Sequence, residues 1–255
     1  MEQTNPAGRL HTILNRAQTA INEPGNRNDA SSLWARVFDV PRKNKNDPVF
    51  GSELLEVISR LIQFDHLITE TEKSLLEIDG LPERYFRPFA RIRQIPLISL
   101  NALNTDISVT IRSITEGDMT VLEFCSERLD QHHVEPIVDY QELQAIAAEV
   151  TQLFDTVKVS SINEDLQTFI LDGLESIRRA IHEYEIRGPK RLKEELAVII
   201  GNLAVNRDLV VSSNKDETLG LYEKLCYRFA AVVSFANDAT ALLAAAKVAL
   251  LPSGG

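Results

Sequence analysis

Sulfur and aromatic residues are scarce in this 255-residue chain: two cysteines, two methionines, one tryptophan, and aromatics at only 6%. Cys125 and Cys226 are too few for a secreted disulfide framework and show no metal-ligand spacing. Met1 through Gly8 is polar and leads into no signal-peptide core, so a reducing cytoplasm is the expected location. Gly-x-Gly-x-x-Gly, a phosphate-binding loop and Gly-x-Ser-x-Gly are missing, and with them the motif-level grounds for expecting an enzyme. Sustained period-two alternation between hairpin turns is also missing, which leaves no basis for a sheet. There is no internal repeat. Cations are outnumbered, with a net charge of −10, and that balance works against general nucleic-acid affinity, which draws on neutralising phosphates.

What is present is apolar residues at helical spacing. At 44% hydrophobic and 25% charged, the composition is that of an ordinary globular protein with a sizeable core. Arg9–Asn22 is weakly helical and a short helix around Leu33–Val40 carries Trp34. Pro41–Gly51 is a polar connection rich in turn residues. Ser52 is placed to cap a helix running to about Asp79, with Leu54, Ile58, Leu61, Ile62, Ile68 and Leu75 as its apolar positions and Gly80 and Pro82 to stop it. Leu100, Leu103, Ile107, Ile111 and Ile114 restart the pattern after Pro96, predicting a second run antiparallel to the first. Asp118–Leu129 predicts a shorter helix. Asp139-x-x-Glu142 resembles a capping box and opens the three-four alternation Leu143, Ile146, Val150, Leu153, Val157. The expected fold is therefore all-α, an elongated antiparallel bundle of about seven to nine helices with helical hairpins. Residues 1–50 are expected to form an N-terminal helical and loop segment, and 51–251 the main bundle.

The richest stretch is Ser161–Asn206. Ser161-x-x-Glu164 has the form of a capping box, and Leu166, Ile170, Leu174, Ile177, Ile181 and Tyr184 line one side of the helix it opens. Gly188 can take a left-handed conformation and Pro189 suits the first turn of a new helix, so a tight corner is expected there. Leu192, Leu196, Ile199 and Leu203 then carry the apolar spacing onward. Around this corner sit Arg178, Arg179, Arg187, Lys190, Arg191 and Lys193, against only Glu183 and Glu185 between them. The first three lie toward a helix end, where the macrodipole favours cations; the last three lie at a helix start, where it disfavours them. Two explanations follow. Local pairs, Lys190 with Glu194 and Arg191 with Glu195, offset the cost. Alternatively the six cations and free amides form a site for an anion or a partner's carboxylates.

From Phe229 to Leu251, 18 of 23 residues are apolar and nine are alanine, a length that could span a bilayer. Asp238 and Lys247 oppose insertion, and alanine supplies little drive for it, so a buried or partner-facing helix is the competing explanation. Candidate chemistry elsewhere is thin. His132-His133-x-Glu135 and His182-x-x-Glu185 lack the second ligand pair of a metal site. Cys125 falls at an apolar helical position and suits a buried hydrophobe better than a nucleophile. Arg84, Arg87, Arg91 and Arg93 alternate with Tyr85, Phe86 and Phe89, which fits either stacking on nucleic acid or rings turned inward and arginines outward.

No catalytic residue, cofactor or metal is expected. The sequence points to a non-catalytic helical interaction protein, an adaptor or regulatory subunit that binds a protein partner or a second copy of itself. The alternatives are a membrane-acting effector or regulator of the bacterial toxin, immunity or phage-defence kind, working through Phe229–Leu251, and binding of an anionic ligand or nucleic acid at the basic corner.

Overall fold

The structure, a computed structural model, describes residues 5–40, 49–132, 135, 136, 138–213 and 215–233. It is all-α: no strand occurs among these residues, and a single isolated bridge joins Asp29 to Asp106. Among the described residues there are eleven α-helices: α1 (Pro6–Ala20), α2 (Ala30–Val37), α3 (Gly51–Leu76), α4 (Phe89–Ile92), α5 (Gln94–Asn101), α6 (Ser108–Arg112), α7 (Glu116–His132), α8 (Tyr140–Val159), α9 (Glu164–Val205), α10 (Arg207–Ser212) and α11 (Glu217–Val233). Five of them have eight residues or fewer, too short to show a 3.6-residue period, and this is why the pattern suggests fewer helices.

The chain divides into two compact units, Met1–Glu135 and Pro136–Gly255. The division does not fall at the Pro41–Gly51 connection, because α1 packs against α3 and α7, and α2 against α3 and α5, all within the first unit. At the centre of that unit Trp34 is fully buried, stacked on Phe38 at 5.2 Å and tilted against Phe64 at 5.3 Å. Its indole N–H donates to the Ser99 hydroxyl at 2.8 Å, which supplies the partner a buried indole requires.

Helix ends correct several expectations. Ser52 lies inside α3, whose N-terminus follows Phe50 without a side-chain cap, because Gly51 at φ +59° makes the turn itself. The run from Leu100 to Ile114 is broken: the Asp106 carboxylate accepts from the Ser108 amide at 2.7 Å and starts α6 afresh, so α5 and α6 are separate short helices. Thr115 and Asp118 form a reciprocal capping box at α7, each side chain accepting from the other's amide.

The second unit follows its sequence more closely. Asp139 caps α8, accepting from the amides of Gln141 and Glu142. Leu143, Ile146, Val150, Leu153 and Val157 are all buried. At α9 the cap is Asn163, which accepts from Asp165 and Leu166, so the helix begins two residues beyond the expected Ser161 cap. Tyr140 hydroxyl to Glu185 at 3.0 Å, and Gln167 amide to the Val157 carbonyl at 2.8 Å, put the start of α8 beside Glu185 of α9 and the end of α8 beside the start of α9. These two helices form an antiparallel hairpin. Leu219, Tyr222, Cys226, Phe229 and Val233 bring α11 into the same core.

Candidate functional site

The basic corner is made by one residue. Gly188 has φ +65° and ψ −165°, a backbone region open essentially only to glycine; the positive φ is as expected, while ψ lies far from the left-handed helical value. Pro189 then opens the second arm, residues 189–205. In a continuous helix, positions 179 and 195 would lie about 24 Å apart along the axis. Arg179 and Glu195 instead approach to 3.7 Å, so the chain bends sharply back on itself. Leu192, Leu196, Ile199 and Leu203 are thereby buried in one cluster with Ile177 and Ile181 of the first arm.

The bend determines where the cations go. Arg191 donates from Nε to Glu183 at 2.5 Å, and its Nη1 lies 2.7 Å from Glu195, so one guanidinium bridges a carboxylate from each arm. All three side chains are largely buried, Arg191 being 12% exposed. Burial works to lower the Arg191 pKa, and the surrounding Glu183, Glu195 and Glu194 carboxylates more than offset it, leaving it above its ordinary value. Arg187 lies 3.9 Å from Glu183 and 3.2 Å from Glu194, and Arg178 lies 2.6 Å from Glu175. Of the two lysines, Lys193 is exposed; Lys190 is exposed and meets no carboxylate among the described residues. The expected Arg191–Glu195 pair is present, whereas Glu194 turns to Arg187 instead of Lys190. The sequence reveals the six cations, the corner and the Arg191–Glu195 pair, but not Glu183 as the buried counter-charge of Arg191, because that contact exists only once the chain has bent.

The second arm carries a feature of another kind. From Leu196 to Asn206 no residue is charged, in a protein where one residue in four is. Leu196, Ile199 and Leu203 face the core, while Ala197, Val198, Gly201, Ala204 and Val205 face outward with one uncharged polar residue, Asn202, among them, Val198 being 48% and Val205 85% exposed. Gly201 has nothing within 4 Å of where a Cβ would stand, so the fold around it gives no reason for a glycine. The signal was legible as a charge-free run, but periodicity alone registers only its buried half.

The remaining candidates resolve plainly. Tyr85 and Phe89 are buried and Phe86 is half-buried, while Arg84, Arg87, Arg91 and Arg93 are exposed, with Arg91 on Asp118 and Arg93 on Glu72, so rings point inward and cations outward. Burial pushes the Cys125 and Cys226 thiols up to about 12, which keeps both protonated at neutral pH and removes them as nucleophiles. Among the described residues no group of three or more histidine, cysteine or carboxylate side chains could hold a metal, and no helix is long and apolar enough to cross a membrane. Most of the apolar C-terminal segment, residues 234–251, lies outside the described residues, as does His133. Compared with known protein families, characterised proteins and solved structures, the chain finds no match.

Proposed function

We propose that this is a non-catalytic helical interaction protein, an adaptor or regulatory subunit, whose docking surface includes the outward face of the second arm of α9. The observation that carries this is the charge-free face from Ala197 to Val205. A helix with an apolar inner face and an uncharged, mostly apolar outer one is ordinarily covered on both. An open Gly201 in mid-helix costs about 0.5–1 kcal/mol relative to alanine, a cost that close approach of another helix would explain. Apolar side chains also stand exposed on α3, where Leu55 and Ile62 are seven residues apart and Leu76 lies fourteen beyond Ile62.

The experiment is sedimentation equilibrium over a wide concentration range, paired with affinity capture, on the natural protein and on a Val198→Lys, Val205→Lys variant. Both side chains are solvent-facing, so the variant should keep its stability to within about 0.5 kcal/mol per site. Loss of self-association or of a captured partner with an unchanged melting curve supports the proposal. A protein that is monomeric at every concentration and captures the same partners with or without the two lysines removes it.

A further inference from the structure

Away from the corner, α8 and α11 enclose between them an open groove of about 370 Å³. On α11 it is lined at positions i, i+3, i+4 and i+7 by Leu221, Lys224, Leu225 and Arg228, so it runs for about 10 Å along the helix. Its volume is at the low end of the range for small-molecule sites, about 300–1,000 Å³. Leu225 and Leu153 of α8 are buried at its base, Leu221 forms an exposed apolar wall at one end, and the uncharged polar Gln152 and Thr156 of α8 complete the lining.

Charge is distributed unevenly along it. At one end Arg228 is held between two carboxylates of α8, Glu142 at 2.7 Å and Glu149. One guanidinium between two carboxylates leaves that end net negative, so an anionic group is disfavoured there. Lys224, half-way along the rim, meets no carboxylate among the described residues. The groove therefore offers an apolar bed and one available ammonium. We propose that it binds a small amphiphilic carboxylate of the octanoate class, the chain lying on Leu153, Leu221 and Leu225 and the carboxylate on the Lys224 ammonium. Buried leucines supply the non-directional part of the affinity and Lys224 fixes the orientation.

The test is an NMR titration of the full-length, nitrogen-labelled protein with octanoate, and in parallel with the neutral alcohol and the amine of the same chain length. Octanoate should shift amides around Leu153, Leu221 and Leu225, with a dissociation constant on the order of millimolar for so small a ligand. Lys224→Glu should weaken it by about tenfold, and Lys224→Arg should bind within about twofold of the natural protein. Leu221→Asp is the second variant, again on an exposed side chain, and should abolish the shifts while the rest of the spectrum stays unchanged. Binding of the alcohol or the amine as tight as that of octanoate overturns the proposal, as does unaltered octanoate binding in Lys224→Glu or the absence of shifts at saturating ligand.

Discussion

Gly173 shows how much one hydrogen can decide. A Cβ built there would lie 1.9 Å from the Tyr222 hydroxyl oxygen and 2.6 Å from the ring carbon bearing it, so the ring occupies the space a side chain would take. Tyr222 is buried, stacked edge-on with Phe169, and cannot swing away. Gly173→Ala should therefore destabilise by about 1–3 kcal/mol despite the better helix propensity of alanine, and Tyr222→Phe in the same chain should restore part of the loss. Gly201→Ala, which meets nothing, should instead stabilise by about 0.5–1 kcal/mol. Urea unfolding of the variants separates the two cases. Sequence alone cannot, because both glycines sit mid-helix and only the folded partner distinguishes them. Acid sensitivity is also a matter of single residues. Burial works to raise the Asp118 carboxyl, but Arg91 and the Thr115 amide and hydroxyl overcome it and hold it below the ordinary 3.8. Its stabilisation is complete above about pH 4 and is lost as acid protonates it through the lower folded value. Glu135 opposes this: burial outweighs Arg9 and raises its carboxyl above 4.5, so it favours the fold at acid pH and less as pH rises. Replacing Asp118 by asparagine should flatten the loss of stability below about pH 4, read as the midpoint of urea unfolding against pH.

At the scale of the element, the corner in α9 rests on Gly188 and Arg191. Gly188→Ala forces an L-residue into a region it scarcely occupies and should cost about 1–3 kcal/mol. Arg191→Ala leaves Glu195 with only the longer contact to Arg179 and takes from Glu183 its shortest ion pair, and should cost about 3–5 kcal/mol, whereas Arg178→Ala, which breaks an exposed pair, should cost about 1 kcal/mol or less. Thermal unfolding of the two arginine variants side by side checks the ranking; equal effects would mean that Glu183 and Glu195 are better hydrated than their burial implies. The corner itself was legible, since Gly-Pro between two apolar-periodic runs carries its own backbone chemistry. Seam positions in α8 and α9 were legible for a related reason: each helix is long enough for the 3.6-residue period to repeat. In α3 the same reasoning placed Ile62 in the core, where it is 45% exposed, and passed over Val57, Phe64 and Leu67, which are buried. Adjacent apolar residues such as Leu61 and Ile62 leave the inward face ambiguous until a packing partner selects it.

Over the whole molecule, two units each bury their own core, one around Trp34 and one around the α8, α9 and α11 seams. Weakening one should therefore be felt mainly within it. Hydrogen exchange on the Gly173→Ala protein should show protection falling through α8, α9 and α11 while amides in α2 and α3 keep theirs; a uniform fall would mean the chain opens as a single cooperative body. This division was not legible, because the Pro41–Gly51 connection looks like a boundary by composition and the Glu135–Pro136 junction does not. What the chain does with its surface turns on the second arm of α9. The most direct test places a photo-activated cross-linking residue at Val205 of the full chain in living cells, with a control at the exposed Glu164. A discrete protein adduct, whether with a second copy or with another chain, that forms at Val205 and not at Glu164 is the predicted result. Irradiation that yields no adduct at Val205, or the same adducts at both positions, would contradict an interaction face there.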